Sequence, residues 1–141
     1  MNIIITGASK GIGKSIALQF AQKGNHLILC ARSETGLNTL KQELLSFCPD
    51  VQVSVFSADL TLKDKVIAFG KFCLQFGTPD ILVNNAGSYA PGNCYDEAEG
   101  TLEFMLSLNL MSAYHLTRTL LPSMMQHKSG HIFNICSIAA L

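Results

Sequence analysis

The sequence predicts an α/β protein built on a doubly wound parallel sheet with strand order 3-2-1-4-5. Short, near-continuous apolar runs alternate with longer segments whose apolar residues recur at helical spacing. Such runs form strands buried on both faces, which implies parallel pairing, helices on either side and right-handed crossovers. Glycine, proline or a capping residue punctuates nearly every junction. At 141 residues the chain holds one domain and a single core.

The first strand is Asn2 to Thr6, and a helix follows from Gly11 to Lys23 with Ile12, Ile16 and Phe20 on one face and Gly24 as its stop. His26 to Cys30 is the second strand. Ser33 caps the next helix, whose apolar face is Leu37, Leu40, Leu44 and Phe47, with Pro49 beyond its end. Val51 to Phe56 is the third strand. Thr61 with Asp64 forms a capping box for a helix that buries Val66, Phe69, Cys73 and Phe76, and Gly77-Thr78-Pro79 ends it. The fourth strand, Asp80 to Val83, runs into "NNAG" and a loop of small and polar residues from Ser88 to Gly100. A long helix spans Thr101 to Gln126, with Pro122 expected to kink it near its end. Gly130 opens a fifth strand, His131 to Ser137.

Composition removes several classes of function. Lysine plus arginine equals aspartate plus glutamate at 10 each, with no basic block, so nothing attracts a nucleic-acid backbone by bulk charge. No stretch approaches the ~18 apolar residues of a membrane span, and Ile3 to Ile5 is too short for a signal-peptide core, so the chain reads as cytoplasmic. The 5 cysteines, Cys30, Cys48, Cys73, Cys94 and Cys136, are widely spaced without a CxxC pair, which argues for reduced, mostly buried thiols. His127 and His131 are separated by Ser129 and Gly130, which break the helix a metal pair would need. Charged residues are only 14% of the chain, which leaves little to cover a surface and points to an interface or to further chain.

"TGASKGIG", Thr6 to Gly13, stands between the first strand and the first helix, the context a phosphate-binding turn requires. Glycines there permit unusual backbone dihedrals and a close main-chain approach to a pyrophosphate, whose charge the helix N-terminus favours. Together with Asp59-Leu60 after the third strand, Asn84 to Gly87 after the fourth, Asn109 in the long helix and Ser137 in "NICSIA", the pattern resembles the short-chain dehydrogenase/reductase family. The resemblance lies with the branch whose loop is TGxxxGxG, and it covers about the first half of that family's Rossmann-type domain. Residues 1–141 are thus expected to be an incomplete cofactor-binding domain, with the catalytic Tyr/Lys helix and the substrate region beyond it.

The resemblance implies roles for named residues. Thr6, Gly7, Ser9, Lys10, Gly11, Ile12 and Gly13 would cradle the dinucleotide, with Asn85, Ala86 and Gly87 against its adenosine half. An NAD enzyme usually carries an acid about 20 residues past the glycine loop. This chain has Ala31 there, with Arg32 and Ser33 beside it. A guanidinium can grip a 2'-phosphate that an acid would repel, so NADP is the expected cofactor, with Lys10 as a second cation. Asp59 would accept from the adenine amino group with Leu60 alongside the ring, although an Asp before a helix start is also a common cap. Asn109 would hold a water in a proton relay; the plainer alternative is an amide satisfied by backbone. Ser137 would donate to the substrate oxygen as negative charge builds there.

In the family a Tyr, with a Lys four residues on, supplies the proton, and both would fall past Leu141. Tyr114 is the only tyrosine here with a cation at that spacing, Arg118, but it lies about 140° round the helix from Asn109 and Arg cannot titrate as Lys does. The fifth strand would be a sheet edge, so the chain alone is expected to dissolve poorly, to pair with a second copy, or to be an excerpt of a longer protein. Two readings stand. One is an NADP(H)-dependent oxidoreductase acting on a small-molecule carbonyl or alcohol, working as a homo-oligomer. The other is a noncatalytic dinucleotide-binding or partner-pairing remnant.

Overall fold

A computed structural model describes residues 1–93 and 95–137. Its elements are β1 (Asn2–Thr6), α1 (Gly11–Gln19), β2 (His26–Ala31), α2 (Glu34–Phe47), β3 (Gln52–Ser57), α3 (Lys63–Leu74), β4 (Ile81–Asn84), α4 (Thr101–Leu106), a π-helical segment (Ser107–Met111), α5 (Ser112–His127) and β5 (His131–Asn134). All strand pairs are parallel and the order is β3-β2-β1-β4-β5, as the alternation of strand and helix predicts.

The pleat divides the core into two layers. Ile3 and Ile5 of β1 face a cluster with Ala17 of α1 and Leu37, Leu40 and Leu44 of α2. Ile4 faces the opposite cluster, with Phe69 of α3 and Leu116 and Leu120 of α5. Each fully buried Ile, Leu or Phe side chain among these stabilises the fold by about 1.5–3 kcal/mol relative to exposure. Helices α3 and α5 cross closely because Gly70 has no side chain: a Cβ there would lie 2.6 Å from Thr119 Cγ2. Asn84, at the end of β4, is buried and donates from Nδ2 to Asn134 Oδ1 (2.9 Å) and Thr117 Oγ1 (3.1 Å), tying β4 to β5 and α5.

Several expectations change. Helix α1 stops at Gln19, and its inward residues are Gly13 and Ala17; Ile12 is 60% exposed because the helix start turns it away from the sheet. Phe47, expected on the buried face of α2, is exposed at the last turn. No capping box opens α3: the helix begins at Lys63, and Asp59 Oδ1 instead accepts from Thr61 N (3.0 Å) and Thr61 Oγ1 (2.8 Å). Phe76 lies past the end of α3 and packs edge-on against His26, ring centroids 4.6 Å apart.

The long helix is not uniform, since its middle five residues take π geometry, and it runs through Pro122 to His127. Strand β5 ends at Asn134, so Ser137 follows it rather than closing it. Of the cysteines, Cys30 and Cys73 are buried, Cys48 is half-buried and Cys136 is exposed; all four are unbridged, and Cys94 lies outside the described residues. Burial pushes the Cys30 thiol up to about 12. Among the described residues, no helix is long and apolar enough to cross a membrane and no cluster of potential metal ligands occurs.

Candidate functional site

The site is assembled where β1 and β4 end side by side. Thr6 is 3% exposed, and its hydroxyl oxygen accepts the N–H groups of Asn85 (3.0 Å) and Ala86 (2.9 Å) while donating to the Val83 carbonyl at 3.4 Å. Asn85 returns the contact, donating from Nδ2 to the carbonyls of Thr6 (3.0 Å) and Gly7 (3.3 Å). Two loops distant in sequence thereby become one surface. Gly7 adopts φ +65°, and a Cβ there would meet Ala86 Cα and Asn85 Nδ2, each at 2.9 Å. At Gly13 a Cβ would lie 2.4 Å from the Gly7 carbonyl oxygen. Lys10 precedes α1 without capping it by its side chain, and the first turn carries no acid. The first N–H groups of a helix have no partner inside it, so an anion is favoured at this end.

A cleft of about 580 Å³ opens at the carboxyl ends of the strands. Its floor and one wall are Gly7, Ser9, Lys10, Gly11 and Ile12. The exposure of Ile12 is thus exposure to this cleft. Ala31, Arg32, Ser33 and Gly36 line it where β2 turns into α2, and Ala58 and Leu60 line it after β3. Asn85, Ala86, Gly87 and Leu108 complete it. Gly36, Ala58 and Leu108 were not expected from the sequence. A glycine in the first turn of a helix that has no turn to make was the available signal for Gly36; nothing marked the other two.

Thr6 and Gly13 stand behind the lining and shape it. Asp59 lies beside it and does not line it. Its carboxyl sits below the usual carboxylate range, chiefly because the Thr61 N–H bonds to it; the Thr61 hydroxyl and the Arg32 guanidinium add to that, against the opposing effect of partial burial. The main chain at Arg32 is fixed by Ser57 Oγ, which donates to its carbonyl at 2.9 Å. Ser33 Oγ accepts the Gly36 N–H at 3.0 Å, the helix cap the sequence predicts.

Asn109 lies in the π-helical segment and is exposed. Its carboxamide is matched to one residue's main chain: Ser88 N donates to Oδ1 and Nδ2 donates to the Ser88 carbonyl, both at 2.8 Å. One amide hydrogen and one oxygen lone pair remain available, because a carboxamide has two of each. Ser137 is exposed, three residues past β5, and does not line the cleft. Tyr114 is exposed, and its hydroxyl accepts from Arg118 Nη1 at 3.2 Å.

With this geometry in view, the likeness to known proteins is specific. The short chain dehydrogenase family model matches residues 1–141. An uncharacterized oxidoreductase of Staphylococcus epidermidis is 33% identical over 137 residues, which cover 96% of this chain and 57% of that protein. A metagenomic short-chain oxidoreductase solved in complex with NADP superposes with a TM-score of 0.91 at 31% identity, covering 98% of this chain and 62% of its own. L-Sorbose reductase from Gluconobacter frateurii, solved with NADPH and L-sorbose, gives a TM-score of 0.93 at 34% identity, with 99% and 53% covered. The chain spans about half the length of the curated relatives it matches.

Proposed function

The chain belongs to the short-chain dehydrogenase family, and on that premise we propose that it forms the cofactor-binding part of an NADP(H)-dependent oxidoreductase interconverting a carbonyl and an alcohol. The observation that carries the cofactor assignment is the pairing of Ala31 with Arg32 in the cleft wall. The acid that would bind a ribose 2'-hydroxyl is missing, and a cation stands beside its place. The NADP and NADPH complexes of the two structural relatives support the same reading.

A dinucleotide fits the cleft because Gly7 and Gly13, where a Cβ would collide with Asn85, Ala86 or the Gly7 carbonyl, let the two loops close into one surface. Gly7, Gly11 and Gly13 bring main chain near the pyrophosphate, and Lys10 offsets its charge. Arg32 and Ser33 hold the 2'-phosphate, Asp59 and Leu60 bound the adenine, and Ala86 and Gly87 back the ribose. When bound, the cofactor supplies or takes up a hydride at the substrate carbon. Ser137 donates its hydroxyl hydrogen to the substrate oxygen, where negative charge grows as the hydride arrives. Asn109 keeps Ser88 in place and uses its remaining amide hydrogen and lone pair toward a relay water. The proton that balances the hydride is assigned to a Tyr with a Lys four residues on, a pair the 141 residues do not contain. The protein acts on a small molecule, as a homo-oligomer in the cytoplasm.

Affinity measured by fluorescence titration tests the cofactor. NADPH is expected to bind at least about tenfold tighter than NADH, a difference of about 1.4 kcal/mol, and Arg32→Ala is expected to erase it. Equal affinities in the unaltered protein would end this reading. The alternative, a dinucleotide binder without catalysis, gains from Tyr114 being paired with Arg118 rather than a Lys. Saturable NADPH binding by a protein whose continuing sequence carries no Tyr-x-x-x-Lys pair would favour it.

A further inference from the structure

Gly36 occupies the first turn of α2, where glycine is a poor helix former, and its φ is not in the left-handed region that would require one. Space explains it. A Cβ at this position would lie 3.1 Å from Ser9 Cβ, on the glycine loop, and 3.1 Å from Ser33 Oγ. Neither neighbour can move freely. Ser9 is part of the main-chain turn between β1 and α1, and Ser33 Oγ is engaged as the acceptor of the Gly36 N–H at 3.0 Å. The bare Cα therefore lets the start of α2 close onto the glycine loop, so that Ser9, Arg32, Ser33 and Gly36 line one end of the cleft together. Glu34, in the same helical turn, is exposed and does not line the cleft, so no carboxylate enters that corner.

We propose that Gly36 is a specificity-determining residue, which selects the phosphorylated dinucleotide by allowing Ser9, Arg32 and Ser33 to close around a 2'-phosphate. The proposal rests on the NADP(H) reading and adds to Arg32 a residue without charge or hydrogen-bonding side chain. A Cβ pushes Ser9 and the start of α2 apart, which opens the corner, whereas the Ser33 cap by itself tolerates a side chain at this position. The nonphosphorylated dinucleotide has no group at that corner and keeps its main-chain contacts at Gly7, Gly11 and Gly13.

The test is titration of the full chain and of Gly36→Ala and Arg32→Ala variants with NADPH and NADH, and with 2',5'-ADP and 5'-AMP, which differ only in the 2'-phosphate. In Gly36→Ala the NADPH-to-NADH affinity ratio is expected to fall about tenfold, with NADH affinity held within about twofold and the same fall for the shorter pair. If Arg32→Ala collapses the ratio while Gly36→Ala leaves it intact, the proposal is overturned and the NADP(H) reading survives. An equal loss of both dinucleotides in Gly36→Ala also overturns it, because the glycine then serves folding alone. If the unaltered chain does not discriminate, the reading beneath the proposal has failed. Melting curves monitor folding. Should Gly36→Ala not fold, Ser33→Ala, which crowds nothing, must lower the ratio in the same direction, and an unchanged ratio there overturns the proposal.

Discussion

At the scale of single residues, the glycine loop contains glycines kept for different physical reasons, and mutation separates them. Gly13 has ordinary helical backbone, yet a Cβ would stand 2.4 Å from the Gly7 carbonyl oxygen and 2.6 Å from Asn85 Nδ2. Neither is the free end of a flexible chain, because Asn85 Nδ2 is itself bonded to Thr6 and Gly7. Gly13→Ala is therefore expected to destabilise the fold by about 1–3 kcal/mol and to abolish dinucleotide binding. Gly11 is the opposite case, with nothing within 4 Å of a Cβ but φ +57°. Gly11→Ala pays only backbone strain, about 1 kcal/mol. Urea unfolding of the two variants reads the difference, and equal losses would refute the steric argument for Gly13. The spacing TGxxxGxG made all three glycines legible in the sequence. It could not tell space from dihedral, since the collision at Gly13 is with an Asn 72 positions away that only the parallel β1–β4 pairing brings near. Ile12 shows a related limit: helical spacing grouped it with Ile16 and Phe20 without saying whether core or cleft lies beneath that face, and its side chain lines the cleft.

Among the elements, the segment from Thr101 to His127 diverges most from its sequence. Apolar residues occur at Leu106, Leu108, Leu110 and Met111, too densely for any one helical period to stand out, so a continuous helix was the natural expectation. The π turn is nevertheless stabilised by identifiable bonds. Ser112 N donates to the Ser107 carbonyl, which deprives the Leu108 carbonyl of its α-helical partner, and Ser112 Oγ takes that carbonyl at 2.5 Å. The wider turn sets Asn109 opposite Ser88 while Leu108 reaches the cleft wall. Asn109→Ala is expected to release the loop after β4. Amide exchange at Ser88 should accelerate about tenfold, and stability should fall by about 1–2 kcal/mol for two lost hydrogen bonds. Exchange mass spectrometry across residues 85–95 measures this, and unchanged protection at Ser88 would show that the carboxamide holds nothing in place. The resemblance singled out Asn109, but neither the π turn nor its pairing with the Ser88 main chain, 21 residues earlier, was legible, because periodicity reports only which residues are apolar.

For the whole molecule, strand order followed directly from the chain, because parallel pairing leaves few ways to alternate apolar strands with helices of this length. The two edges of that sheet differ chemically. β3 presents Gln52, Ser54 and Ser57 among its apolar residues, whereas β5 places Phe133 at 50% exposure and is followed by Ile135 at 42%. Met125 and Leu121 of α5 and Leu102, Phe104 and Leu106 of α4 are exposed as well. With charged residues at 14% of the chain, little repulsion opposes contact between such surfaces. An uncovered strand edge offers main-chain donors and acceptors to any second edge, and exposed aromatic and aliphatic side chains add the burial that makes pairing persist. The 141-residue chain expressed alone is accordingly expected to self-associate with rising concentration, with β5 as the joining edge. Phe133→Lys should shift the equilibrium toward monomer, because a charge on an edge strand must be desolvated when the edge pairs. Light scattering over a dilution series decides it: a stable monomer at every concentration would mean that the apolar side chains beside β5 are covered within the chain itself, and the association argument would fall with them.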